Sequence, residues 1–256
     1  MKTVAILFSG NMRNVLDILD NLQVNLIDPI VSNNLNYDIF IHTWDTNVIG
    51  DTVHSRDKFV KTNDIPNIIK TLRKKFNVKN VIIENQKSVY ESHGGDSLIS
   101  KIVNDREVRK KGRSYTLGLV KKHYFQYYGQ YKSLELIKGN YDYIIKTRPD
   151  VWYYDKFNIN LLTELSFPKS HQFDGRNINQ IFYVGKYADV KEILLFWKMV
   201  SDSLNLLLKD YFDKEDINLN LIFRHYIENI LDLTPNFVDY NIGLYRTDNI
   251  IEKIHK

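Results

Sequence analysis

The stretch "YDYIIKTRPDVWYYDKF", residues 141–157, carries an apolar strand into a cation, a proline and a carboxylate. Tyr143, Ile144 and Ile145 are residue types that fill buried strands. Pro149 has no N–H to give to a sheet ladder, so Arg148-Pro149-Asp150 reads as a strand exit. Two readings of that exit stand side by side. Either Arg148 and Asp150 form an ordinary polar stop and pair with surface neighbours, or the sheet delivers both charges to a site.

What surrounds this strand makes the sheet an α/β one. Upstream, "KTVAILFSG" is a buried strand leaving into a loop at Gly10, after which Val15, Ile18, Leu19, Leu22 and Leu26 recur at helical spacing. "YDIFIHTW", residues 37–44, is a second strand, followed by a polar, loop-like stretch at 45–63. "DIPNIIKTLRKKF" is a short helix with Asp64 as its N-cap, and "VKNVIIE", residues 78–84, is a third strand. Residues 85–113 are polar and hold Gly94-Gly95 and the basic "REVRKKGR"; they are expected as a mobile, lid-like insertion. "SYTLGLVKKHYFQYYGQYKSLELIKG" is a long helix ending at Gly139, with Tyr124, Tyr128 and Tyr131 on one packed face. Beyond residues 141–157, "NQIFYVGK" is a fifth strand. "YADVKEILLFWKMVSDSLNLLLKDYF" and "KEDINLNLIFRHYIENIL" are two helices, and "NFVDYNIGLYRT" is a short strand or a pair.

Strands alternating with helices predict a mixed, mostly parallel α/β sheet flanked by helices. The expected layout is a single domain over residues 1–256, with halves at about 1–155 and 156–256. Ligands of such sheets sit beyond the carboxyl ends of the strands, near a reversal of strand order. Three exits carry polar signatures: Ser9-Gly10-Asn11-Met12-Arg13, His42-Thr43-Trp44-Asp45, and Thr147-Arg148-Pro149-Asp150. Their convergence on one edge is the main pointer to a site.

Composition narrows the function classes. The 256 residues, 43% of them hydrophobic, suffice for a sizeable core, and the absence of cysteine excludes a disulfide framework and thiolate chemistry. The net charge of +4 is spread among interspersed acidic residues, which is no nucleic-acid footprint but suits small anions such as nucleotide diphosphates. "TVAILF" is too short for a signal or a membrane span, and no later apolar run is long enough. The expectation is a soluble, cytoplasmic protein without a transmembrane segment. Heavy use of Asn, Ile, Lys and Tyr fits an A+T-rich genome, hence a bacterial cell or a virus-infected host cell.

At the exits, Gly10 lets the backbone turn tightly, and Ser9, Gly10 and Arg13 suit an anion near a helix N-terminus; a plain strand-to-helix turn is the alternative. Trp44 is placed either to stack a base or sugar or as a buried edge aromatic, while Asp45 can accept from ribose or base. Asp150 can hold a hard divalent cation together with the phosphates of a substrate. Glu215 and Asp216 open a helix, where acids complement the dipole, or one of them serves as a catalytic base; Asp174 in "FDGRN" is a second candidate base. Arg246 can close over phosphate, and His225, Asp239 and His255 are late metal-ligand candidates.

"FSGNMRN", "YDIFIHTWD" and "YDYIIKTRPDVW", in this order, resemble the GT-A-type glycosyltransferases. More narrowly, the chain is similar to viral and bacterial sugar transferases and to capsule or lipopolysaccharide synthesis proteins whose DxD motif appears as Arg-x-Asp. The resemblance implies a nucleotide-sugar donor, Mn²⁺ or Mg²⁺, and transfer to a hydroxyl of a glycan, lipid-linked or protein-linked acceptor. It gives Asp150 the role of metal ligand. Arg148 stands where the first carboxylate would be, suited to grip phosphate or ribose oxygens bidentately. The alternatives are a catalytically silent nucleotide- or glycan-binding protein and a sugar-phosphate nucleotidyltransferase. The second lacks support, because "SGNMRN" is short and Gly-poor for the loop such an enzyme needs.

Overall fold

A computed structural model describes residues 1–12, 14–45, 64–93, 113–169, 178, 180–209, 219–245 and 251–253. Its centre is a seven-stranded sheet built from β1 (Thr3–Ser9), β2 (Asn36–Trp44), β3 (Val78–Glu84), β4 (Tyr143–Thr147), β6 (Ser166–Pro168), β7 (Tyr183–Lys186) and β8 (Asn236–Val238). The strand order is β3-β2-β1-β4-β7-β6-β8, and all strands but β7 run the same way. This is the mixed, mostly parallel sheet expected from the sequence. A second, antiparallel sheet joins β5 (Val151–Tyr153), β9 (Ile242–Tyr245) and β10 (Ile251–Lys253).

The central strands carry apolar runs, Val4–Phe8 in β1 and Ile39–Ile41 in β2, because both of their faces are covered. Val4, Ile6 and Phe8 of β1 join Ile39 and Ile41 of β2 in one core layer. A helical run, here α1, lies there, passing through Val15–Ile18, Leu19–Leu22, Gln23–Ile27 and Asp28–Ser32. So does α2 (Ile65–Lys75), capped as expected by Asp64, which accepts from the Asn67 N–H at 3.1 Å. Ala5, Leu7 and Phe40 face the other layer. That layer holds α4 (Arg113–Glu135), α5 (Tyr187–Leu194), α6 (Phe196–Lys209) and α7 (Leu219–His225, running on through Tyr226–Ile230).

Three boundaries differ from the sequence reading. Residues 141–157 are two strands in two sheets, because the turn at Pro149 and Asp150 carries the chain out of the main sheet before β5 begins. Residues 86–92 of the expected insertion form a helix, α3 (Gln86–Ser92), with the Asn85 side chain accepting from the Ser88 N–H. The helix expected from Tyr187 onward breaks at Leu195. Ile193 and Leu194 before the break and Phe196, Trp197 and Val200 after it are all buried.

The α1 run also fixes β5. The Asn21 side chain accepts from the Tyr153 N–H at 2.9 Å and donates to the Tyr153 carbonyl at 2.8 Å, as a neighbouring strand would. Asn25 Nδ2 donates to the same carbonyl at 2.9 Å. Pro29 has no N–H for the Asn25 carbonyl four residues back, and the Phe157 N–H takes that place at 2.7 Å. The segment that follows the Arg148-Pro149-Asp150 turn is thereby held against the helix.

Candidate functional site at the carboxyl edge of the sheet

The chain lays β1, β2 and β3 outward on one side and then returns to place β4 on the other side of β1. Strand order therefore reverses between β1 and β4, and the carboxyl ends at such a reversal are where sheets of this kind bind ligands. The β1 exit is Ser9-Gly10 and the β4 exit is Thr147-Arg148. Gly10 has φ +132°, a conformation other residues rarely adopt, and its N–H donates to the His42 carbonyl at 3.2 Å. A Cβ there would stand 3.9 Å from Pro149 Cδ and 4.0 Å from Arg148 Cγ, so the two exits meet.

Arg148 and Asp150 bind each other across the turn. Arg148 Nε donates to Asp150 Oδ1 at 2.8 Å and an Nη2 proton goes to Oδ2 at 2.7 Å, a bidentate fork. The Asp150 side chain is 0% exposed and that of Arg148 is 15% exposed. The turn is anchored behind by Thr147, whose hydroxyl meets Tyr153 Oη at 2.8 Å. Lys146, one step before, is wholly buried; its amine donates to the carbonyls of Gln180 and, at 3.3 Å, Ile181. Burial pushes its pKa well below the ordinary lysine value, with the Arg148 charge adding to the effect and Asp150 opposing it.

On the α4 side of the edge lies a second polar group. His42 is the register partner of Ser9, and its Nε2 sits 2.8 Å from Glu84 Oε2. Glu84 Oε1 accepts from Tyr128 Oη at 3.0 Å. Burial lowers the His42 pKa, outweighing the attraction of Glu84. Burial alone would raise Glu84, but hydrogen bonds from His42 and Tyr128 and the Lys132 charge hold it below its ordinary value. The imidazole is therefore neutral beside a carboxylate, and Nε2 carries its proton. The backbone of Gly129 closes over Nδ1.

Four buried polar atoms at these exits, Ser9 Oγ, Asn11 Oδ1, His42 Nδ1 and Thr43 Oγ1, have no hydrogen-bond partner among the described residues. Such atoms are costly unless a ligand or water satisfies them. All four lie at the ends of β1 and β2, while Tyr124 Oη, Gln180 Oε1 and Trp197 Nε1 are further such atoms elsewhere in the fold.

The predicted residues are distributed as follows. Ser9, Gly10, Arg148 and Asp150 come together at the reversal point. Asp45 is exposed at the end of β2, accepting from Asn85 Nδ2 at 3.0 Å. Trp44 is 3% exposed, with its ring centroid 4.8 Å from His42, 5.4 Å from Phe125 and 5.8 Å from Tyr128; it sits as a core aromatic. Asp155, further along, accepts from the Asn241 backbone and side chain and belongs to the smaller sheet. Asp239 is paired with Lys169, and His225 lies 3.1 Å from Asn229. Arg13, Asp174, Glu215, Asp216, Arg246 and His255 lie outside the described residues.

The expected Mn²⁺ or Mg²⁺ can be tested against this donor set. A hard cation needs several oxygens turned toward it. Both Asp150 oxygens face a guanidinium instead, the carboxylate is sealed from solvent, and no three acidic or histidine side chains converge on a metal position among the described residues. The described residues as arranged do not fit a divalent ion.

Glu84, Tyr128, Lys146 and Asn21 were missed at the sequence level. Glu84 had a signal, since it ends the apolar run "VIIE" as the other exits end theirs, and Lys146 is a cation inside the apolar run "YIIKT". Asn21 had none, because its partner is 132 residues away.

No protein-family model matches the chain, and no curated protein does. Among solved structures, it is similar to mouse xyloside xylosyltransferase 1 in its apo form, at 8% sequence identity and a TM-score of 0.43, over 93% of this chain and 84% of that one. The reading of the site rests on its own residues. Among the described residues, no helix is long and apolar enough to cross a membrane.

Proposed function

We propose that the protein is a GT-A-like glycosyltransferase that moves a sugar from a nucleotide-sugar donor to a hydroxyl of a glycan, lipid-linked or protein-linked acceptor. One observation carries the reading. The exits of β1, β2 and β4 bring a positive-φ glycine, buried polar atoms without partners among the described residues and a guanidinium to the point where strand order reverses. The ordered resemblance of the three exit motifs supports the same reading.

In the proposed reaction the acceptor hydroxyl attacks the anomeric carbon of the donor. The bond to the diphosphate oxygen breaks, and its electron pair leaves with the nucleoside diphosphate. A carboxylate takes the hydroxyl proton, with Glu215, Asp216 and Asp174 as candidates. Arg148 offers charge-assisted hydrogen bonds to the departing diphosphate, where charge builds up. Ser9, Gly10 and Asp45 contact the nucleotide, with Arg13 and Arg246 as further phosphate contacts.

The test is a panel of UDP, GDP, CMP and their sugars, read by thermal shift and by nucleotide release with an acceptor panel. A ligand at about 100 times its dissociation constant stabilises the native state by about 2.7 kcal/mol. Stabilisation by one nucleotide class and release from its sugar is the expected result. No response to any nucleotide from a folded sample would overturn the proposal. A second reading, nucleotide or glycan binding without turnover, is favoured by one observation: Asp150 is tied to Arg148. Binding with no release in the same assay would select it.

A further inference from the structure

The Arg148–Asp150 fork occupies the position that the resemblance assigns to a metal ligand. The pair faces outward through its cation, because Asp150 is fully buried and only Arg148 reaches solvent. A divalent ion bound to Asp150 would have to displace a guanidinium from both oxygens and enter a site closed to its hydration water. The turn gives little room for that exchange. Pro149 fixes the backbone between the two residues, and the Thr147–Tyr153 contact and the Asn21 clasp hold the strand on either side. The stem of Arg148 passes close to the β1 exit, its Cγ 4.0 Å from where a Cβ on Gly10 would stand.

From this geometry we infer that the edge recognises a nucleoside diphosphate without a metal ion, and that Asp150 is a positioning residue which orients Arg148. The inference rests on the proposed donor site and specifies how that site handles the diphosphate. A carboxylate that receives the Nε edge of a guanidinium fixes the plane of the whole group, because the five donors of arginine form a rigid fork. An oriented fork presents its hydrogen bonds without first losing side-chain freedom.

The deciding measurement is calorimetric titration of UDP and GDP into the full chain, in EDTA and again in Mn²⁺ or Mg²⁺. The expected result is a dissociation constant that agrees between the buffers within about threefold. Arg148→Lys, which keeps the charge but loses the fork, is expected to weaken binding by about tenfold or more in both buffers. Asp150→Asn retains an acceptor for Arg148 and is expected to weaken binding less, again without metal dependence. Binding that requires Mn²⁺ or Mg²⁺ would overturn the inference while leaving the donor site intact. No binding of either nucleotide in either buffer would overturn the donor site and the inference together. Should a variant fail to fold, the comparison of buffers on the natural chain still decides.

Discussion

Gly129 offers a test in which two effects of similar size oppose each other. It lies inside α4, where alanine is ordinarily better than glycine by about 1 kcal/mol. A Cβ at this position would stand 3.0 Å from His42 Nδ1 and 3.4 Å from Cε1, closer than an ordinary van der Waals contact. The imidazole has nowhere to go. It is 0% exposed, its Nε2 is held by Glu84, and its ring packs edge-on against Trp44 at 4.8 Å. Overpacking a rigid site costs about 1–3 kcal/mol. Gly129→Ala is therefore expected to leave the protein unchanged or destabilised by up to about 2 kcal/mol. Replacing His42 by Ala removes the obstruction, and the nearest remaining atom is Ser9 Cβ at 3.8 Å, an ordinary contact. In that background the same substitution is expected to stabilise by about 1 kcal/mol. Urea unfolding of the four proteins, followed by far-UV circular dichroism, gives the coupling directly. An equal stabilisation by Gly129→Ala in both backgrounds would refute the close approach of α4 to the sheet edge.

Other perturbations address the turn and the buried titrating groups. Asp150→Ala strands the guanidinium of a buried pair, expected to cost about 2–4 kcal/mol, and Arg148→Ala plus Asp150→Ala together should cost less than the sum of the singles; additive losses in denaturant titrations would mean that the fork contributes nothing. Asn21→Ala removes its two bonds to Tyr153 and leaves the one from Asn25, and a loss of about 1–3 kcal/mol is expected, with faster amide exchange in β5. Burial lowers the His123 pKa to about 4, with the Lys122 charge acting in the same direction. The unfolded chain therefore binds this proton first as pH falls below about 6.5, and stability drops towards pH 4. At pH 5 the loss from this residue is about 2 kcal/mol relative to pH 7, and His42, also lowered, adds to it. His123→Gln should flatten that slope, and an unchanged slope would remove His123 as its source.

Much of the scaffold was legible because it depends on local signals. Short apolar runs marked β1, β2, β3 and β4, helical spacing marked Val15 to Leu26, and Asp64 announced its own helix. What failed depended on distant partners. Nothing local says that β5 would leave the main sheet to pair with β9, since β9 lies some ninety residues on. Nothing local says that Leu195 would break a helix, since no proline or glycine stands there. The site divides in the same way. The meeting of the exits was readable from polar residues ending apolar strands, and Glu84 follows that rule too. Its internal pairings were not, because Arg148 could equally have faced a ligand, a neighbour or Asp150.

That last pairing bears on how the proposed donor site would meet its ligand. Two carboxylates at a strand exit repel one another and call for a cation to hold them together. An arginine in place of the first one supplies the cation covalently, and the remaining carboxylate becomes its counter-charge. The buried Asp150 then needs no external ion to remain charged, since the fork offsets its desolvation with two short hydrogen bonds. In the proposed donor site, the ligand contact therefore falls to the first position of the pair and not the second. In a metal-binding pair the aspartate would meet the ligand through the ion, whereas here the solvent-facing member is Arg148. Conservative changes should therefore be tolerated differently at the two places. Arg148→Lys keeps the charge and loses the geometry, while Asp150→Asn keeps much of the geometry and loses the charge. If recognition at this edge depends on the directed fork, the lysine variant is the more damaged of the two. The opposite ranking, with a folded protein in both cases, would return the central role to the carboxylate.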